Sequence, residues 1–204
     1  MGRVSDARPR LMEAVLDLIW SGSYGSTTID QICDKAGVKK GSFYYFFESK
    51  AELAAAAMEE SWQKKQVELN SIFSPVVPPL ERFRKYCDFS YQFQNEIKEK
   101  YGRVLGCPQF SLGAEVCTQE GPLQKKIQEI LDYKRRYLES AIRDAHAAGL
   151  IEAPDPAEKA RMILAYYEGV LTQARIQNRV DILKETVKGI FAILGAKELQ
   201  VAAA

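Results

Sequence analysis

Histidine is nearly missing from this chain: His146 is the only one among 204 residues. With no second imidazole beside it, neither a histidine-based triad nor a histidine-containing metal cluster can be argued. The four cysteines, Cys33, Cys87, Cys107 and Cys117, contain no CxxC pair. That removes the usual zinc spacings and the disulfide-dense secreted scaffolds, and reduced thiols are expected. No apolar run reaches the roughly 18 residues of a membrane span. The opening MGRVSDARPR has no apolar stretch of the signal-peptide kind, and Asp6 breaks the myristoylation pattern begun by Gly2. A cytoplasmic protein away from membranes is expected, with no catalytic residues, no metal and no cofactor. Net charge is also small, 28 basic against 27 acidic side chains. Contact with a polyanion must therefore come from a local cluster.

What the chain does have is helical periodicity almost throughout. Leu11, Val15, Leu18 and Ile19 predict a first amphipathic helix ending near Gly22. After the loop SGSYGSTT, Thr27 begins T-x-x-D with Asp30 and Thr28 begins T-x-x-Q with Gln31, the latter a capping-box pattern. A short helix with Ile29, Ile32, Cys33 and Ala36 on one face stops at Gly37. A third is expected over 39–46, and Ser49 with Glu52 opens a long helix running toward residue 73. SPVVPP interrupts the pattern, since proline is not tolerated inside a helix. Further helices are predicted near 79–100, 108–119, 122–148, 156–177 and 180–195, the fourth begun by the N-cap pattern Asp155-Pro156-Ala157-Glu158. No strand is expected. The fold class is all-α with about nine helices, divided into residues 1–50 and a larger helical bundle over 51–204.

VKKGSFYYFFESK, residues 38–50, raises the functional question. Five consecutive rings, Phe43 to Phe47, go round the whole circumference of a helix and cannot all face one core. With Phe43 as origin, Phe46 and Phe47 fall within about 60°, while Tyr44 and Tyr45 lie about 100° and 160° away. The rings without a hydroxyl group together, and the two with a polar handle point elsewhere. Tyrosine at a wet interface can bond phosphate or a base edge. Lys39, Lys40 and Ser42 stand at the helix start, Lys50 lies beyond its end, and Gly41 permits close backbone approach. Residues 35–50 carry four lysines against one acid, Glu48. The outline is a helix-turn-helix. Arg3, Arg8 and Arg10 are read as a basic arm ahead of the first helix.

TTIDQICDKAGVKKGSFYYFFESKAEL resembles the DNA-binding domain of the TetR family of bacterial transcriptional regulators. The resemblance rests on Thr28, on the turn Ala36-Gly37-Val38, on Ser42 through Phe47, and on Lys50 with Leu53. It implies that Lys39, Lys40, Gly41, Ser42, Tyr44 and Tyr45 enter the major groove and that Thr28 and Lys50 anchor phosphates. Phe43, Phe47 and Cys33 would belong to the core. Phe46 stands where the family usually has histidine, which removes one phosphate contact worth roughly 1 kcal/mol.

The same resemblance implies a homodimer through the last two long helices, reading a palindromic operator as a repressor. Two stripes fit that role, Ala160, Ile163, Leu164, Tyr167, Leu171 and Ala174, and Val180, Leu183, Val187, Ile190, Phe191 and Leu194. Either stripe serves equally well as core within one chain. The middle helices are expected to hold a small, apolar or electrophilic effector, with Phe89, Phe93, Cys107, Phe110, Tyr133, Tyr137 and Tyr166 as candidate contacts. Pro108 at a first helical position makes Cys107 an N-cap, where free N–H groups favour thiolate, and Arg103 is near in sequence. Gly106-Cys107-Pro108 followed by Leu112-Gly113-Ala114-Glu115 is similar to a TetR subgroup segment whose cysteine senses electrophiles or oxidants. The competing reading is a small packing cysteine. Pairing with Cys117 would require unwinding the helix between them. The alternative function is a structural, partner-recruiting DNA-binding protein with no effector.

Overall fold

The computed structural model describes residues 6–116 and 121–196, and among them every regular element is helical. Arg3 and Cys117 lie outside the described residues, as does the end of the helix expected over 108–119. Helix α1 covers Ala7–Ser21, α2 Ile29–Ala36 and α3 Lys40–Phe46. Arg8 and Arg10 are therefore not in an arm, because α1 begins before them. Pro9 does not prevent this, since first-turn N–H groups have no intrahelical acceptor. Arg8 lies over the Phe47 ring at 5.6 Å, and Arg10 donates to the Gly37 carbonyl at 3.0 Å.

The capping box of α2 forms as the residues require. Gln31 N donates to Thr28 Oγ1 at 3.2 Å, and Thr28 N donates to Gln31 Oε1 at 2.8 Å. Thr27 does not cap; it is buried and bonds the Ser23 carbonyl at 2.7 Å. Gly37 closes α2 at φ 62°, a left-handed backbone that strains any residue with a Cβ. Helix α4, Lys50–Ile72, starts on a shifted cap. Glu52 N donates to Ser49 Oγ at 3.1 Å, but the Glu52 carboxylate reaches back to Glu48 N at 2.7 Å.

The remaining elements are α5 Pro79–Tyr101, α6 Pro108–Val116, α7 Pro122–Ala147, α8 Pro156–Gln177, a 3₁₀ segment Val180–Glu185, and α9 Thr186–Leu194. Asp155 caps α8 by accepting from Glu158 N at 2.9 Å. The helix expected over 180–195 is wound more tightly in its first six residues. A 3₁₀ turn eclipses side chains three apart, which turns Leu183 and Thr186 inward together, 3% and 2% exposed.

The chain forms two compact units. The first gathers the chain through Lys65 together with Pro108–Leu131, so the boundary expected after residue 50 falls inside it. The second gathers Gln66–Cys107 with the chain from Asp132 onward. Within the second, Arg82 is buried and fixes the proline turn, donating to the Val77 carbonyl and to Asp144, at 2.8 Å and 2.6 Å. Ala160, Ile163, Tyr167, Leu171 and Ala174 of α8 are buried inside this unit, as are Leu183, Ile190, Phe191 and Leu194. Most of both candidate dimer stripes is therefore intramolecular core. A different line on α8, Met162, Ala165, Gly169, Thr172 and Ile176, is exposed or half-buried. No helix among the described residues is long and apolar enough to cross a membrane.

Candidate nucleic-acid interface and a buried thiol cluster

Helix α3 divides its rings between core and water. Phe43 is fully buried and Phe47 is 3% exposed, whereas Tyr44 is 55% and Tyr45 81% exposed. Phe47 reaches the core from an extended residue, φ −143°, just after the helix ends. Phe46 is half-buried and meets the Tyr45 ring edge-on at 4.8 Å. Lys39 and Gly41 are exposed and Ser42 half-buried. A Cβ at Gly41 would meet nothing within 4 Å, so that backbone is open to approach. Lys40 is exposed and pairs with Asp30 at 2.8 Å. Thr28 is exposed at the start of α2, with its hydroxyl engaged in the cap.

Lys50 has a different setting. Its ammonium donates to the Tyr24 and Thr27 carbonyls, both at 2.7 Å, and lies 4.1 Å from the Tyr24 ring centre. Burial pushes its pKa down, against the opposing pull of Glu115. The Glu115 carboxylate accepts from Tyr24 N and Gly25 N at 2.9 Å and 2.6 Å. The loop before α2 is thus held by an ammonium on its carbonyls and a carboxylate on its amides. Sequence reasoning missed this grip, because nothing in the spacing of residues 24, 50 and 115 reveals their contact.

The candidate effector contacts are spread out. Phe110 belongs to the first unit and is exposed, as is Tyr133 in the second. Phe89 and Phe93 are half-buried and stacked, with ring centres 6.3 Å apart. Tyr137 bonds Asn70 and packs on Phe73 at 5.3 Å. Tyr166 lies against Gly189, where a Cβ would collide with its ring.

Cys107 is built into a more organised place. Its neighbour Gly106, at φ 68°, is clamped by the buried Gln94 amide, which donates to its carbonyl and accepts from its N–H, both at 3.0 Å. Val104 N donates to Asn178 Oδ1 at 2.9 Å. The Cys107 sulfur, 6% exposed, accepts from Lys134 Nζ at 3.1 Å. Lys134 also pairs with Glu168 Oε1 at 3.2 Å. Glu168 is 1% exposed, and its Oε2 finds no hydrogen-bond donor among the described residues. Burial alone would lower the Lys134 pKa, but the Cys107 sulfur and the Glu168 carboxylate outweigh it and hold the ammonium charged. Tyr86 and Tyr167 stack beside this group at 4.7 Å, both phenols pushed well above their ordinary range chiefly by burial. Cys87 is a contrast, with burial and then Asp88 pushing its thiol up to about 12. Arg103, expected to assist Cys107, is exposed.

Lys134 and Glu168 were absent from the sequence-based candidates, yet a signal existed. On α7 the buried Ile127, Ile130, Leu138, Ala141 and Ala145 follow three-and-four spacing, and Lys134 falls in the position between Ile130 and Leu138. A cation in a core stripe requires a buried partner. Among the described residues no cluster of three metal-ligating side chains occurs.

A family model described as bacterial regulatory proteins, tetR family, matches residues 11–57. A second, the tetracyclin repressor-like C-terminal domain, matches residues 79–190. An HTH-type transcriptional regulator from Lactococcus lactis subsp. lactis is 27% identical over 199 residues, covering 94% of this chain and 96% of the relative. The HTH-type transcriptional repressor NemR of Escherichia coli (strain K12) is 24% identical over 197 residues, covering 92% and 94%. The crystal structure of a regulatory protein TetR from Rhodobacter sphaeroides matches with a TM-score of 0.80 at 26% identity, covering 93% of this chain and 99% of that one. A capped α2, a glycine turn and an outward-facing α3 are thus joined to a C-terminal domain recognised over more than half the chain, and the protein belongs to the TetR family of DNA-binding transcriptional regulators.

Proposed function

We propose that this regulator is a homodimeric repressor that reads a palindromic operator with α3 and releases it when a small apolar or electrophilic effector acts on the second unit. The observation that carries the DNA reading is the outward pair Tyr44 and Tyr45, set among Lys39, Lys40 and Gly41 on a helix anchored by Phe43. In the major groove Tyr44, Tyr45 and Ser42 meet base edges, and Lys39, Lys40 and Thr28 meet phosphates. Lys50 supports them by fixing the loop before α2. Two copies joined along the exposed line Met162, Ala165, Gly169, Thr172 and Ile176 of α8, with α9 beside it, would set two α3 helices about one DNA turn apart. A Cβ at Gly169 meets nothing within 4 Å in its own chain, which leaves room for a second helix. Operation in the cytoplasm, where DNA is reached, accords with this reading.

The effector half rests on Cys107, whose sulfur accepts from the Lys134 ammonium at 3.1 Å, a cationic neighbour of the kind found beside reactive cysteines. Addition to this sulfur favours a conformation that fits the operator poorly, and release follows from the difference in affinity. Operator binding of wild type and Cys107→Ser, measured with and without N-ethylmaleimide, tests this. Wild type should lose the operator on alkylation and the serine variant should keep it. Unchanged affinity in both removes thiol sensing.

A further inference from the structure

The Cys107–Lys134–Glu168 cluster contains more than a nucleophile needs. A counter-ion alone would explain a stabilised thiolate, and a carboxylate alone would explain a buried lysine. Here one ammonium serves both, at 3.1 Å and 3.2 Å, while the nearly inaccessible carboxylate uses a single oxygen and leaves the other without a donor. Lys134 is therefore a hydrogen-bond donor held next to the sulfur by a partner on another helix. A buried polar atom left unsatisfied costs on the order of 1–3 kcal/mol. The arrangement is thus incomplete for as long as Lys134 is shared with the sulfur.

Resting on the reading of Cys107 as the sensor, we infer that Lys134, oriented by Glu168, acts on the electrophile as well as on the thiolate. The site then prefers small conjugated carbonyl compounds, such as enals, enones and maleimides, over alkylating agents that develop no charge on oxygen.

The step balances with water as the only other reactant. The thiolate lone pair forms a bond to the β-carbon, and the alkene π pair moves through the α-carbon to the carbonyl oxygen. The Lys134 ammonium hydrogen-bonds that oxygen as charge builds and keeps its proton. The enolate then returns to the carbonyl as the α-carbon takes a proton from water, replacing the one that the thiol released on ionising. In sum S–H adds across C=C, with nothing oxidised, reduced or expelled. A positioned donor to a developing oxyanion contributes about 10²–10³ in rate. The adduct is a neutral thioether, so the Lys134 ammonium can turn from the sulfur toward both oxygens of Glu168. With Cys107 only 6% exposed, large reagents are excluded.

The test measures alkylation rates at Cys107, resolved from the other thiols by peptide mass spectrometry, in the full-length protein. N-ethylmaleimide develops an enolate and iodoacetamide does not, so the ratio of their rates cancels the thiolate fraction common to both. Wild type is compared with Lys134→Met, with Lys134→Arg, and with Lys134→Met/Glu168→Gln, which leaves no carboxylate buried alone should the first variant fail to fold. Loss of Lys134 should lower the maleimide-to-iodoacetamide ratio at least about tenfold at every pH from neutral to about 9.5, and arginine should restore part of it. Glu168→Gln alone should lower the ratio by a smaller factor. A ratio equal to wild type in both methionine variants overturns the proposal, even if both rates fall together, because Lys134 then sets ionisation only. No operator is present in these measurements. A failure of alkylation to release DNA would thus remove the effector reading while a shifted ratio still upheld this one.

Discussion

The two units of this regulator put the same side chains to opposite uses. In the first, Tyr44, Tyr45 and Lys39 stand in water, and only Phe43 and Phe47 of the aromatic run fill a core. In the second, Tyr86 and Tyr167 are buried and Lys134 is half-buried, its ammonium engaged by a sulfur and a carboxylate. Residue type thus does not decide the role of a tyrosine or a lysine here. Whether water is already excluded before a partner arrives decides it. The exposed set keeps its hydrogen-bonding capacity available to a partner, and the buried set has traded hydration for fixed partners.

The sharpest break in that comparison is expected at Lys134. Lys134→Met leaves the Glu168 carboxylate 1% exposed with no cation, which should lower unfolding free energy by about 3–5 kcal/mol. Lys134→Met/Glu168→Leu removes both charges and should recover most of the loss, since an apolar pair of similar volume does as well as a buried ion pair. Urea unfolding of the two variants beside wild type measures this. If the single variant is no worse than the double, the carboxylate is not buried as described.

A smaller effect, of a different kind, is expected in the first unit. Tyr44→Ala should weaken specific operator binding by ~1–3 kcal/mol with no loss of thermal stability, because its ring is 55% exposed. An electrophoretic titration and a melting curve on the same preparation decide it. A lowered melting temperature would mean that the ring supports the fold, and the contrast between the units would fail.

Local chemistry made much of this legible in the sequence. The Thr28–Gln31 box, the Gly37 turn and the Asp155 cap each depend on residues within a few positions of one another, and each forms as read. So does the outward direction of Tyr44 and Tyr45, which follows from helical geometry alone. What could not be read depends on distance along the chain. Lys50 meets residues 24 and 27, Glu115 meets Tyr24 and Gly25, and Lys134 joins positions 107 and 168. Apolar periodicity states which face of α8 is greasy but not which neighbour covers it. The stripe through Ile163, Tyr167 and Leu171 is consequently core within one chain, although its pattern suits a dimer equally well.

The finest test compares two lysines that look alike in sequence. Lys39 is exposed at the start of α3, whereas Lys50 is half-buried on the loop carbonyls. Lys39→Ala should weaken operator and random duplex alike and reduce the slope of log K against log salt by about 1, the signature of one lost phosphate contact. Melting temperature should not move. Lys50→Met removes two hydrogen bonds to carbonyls, so it should cost about 1–3 kcal/mol of folding stability. Its effect on DNA should then come through the disturbed loop, with little change in salt slope. Equal salt slopes and equal melting curves for both variants would mean that the grip on residues 24–27 does not set Lys50 apart from its neighbour on α3.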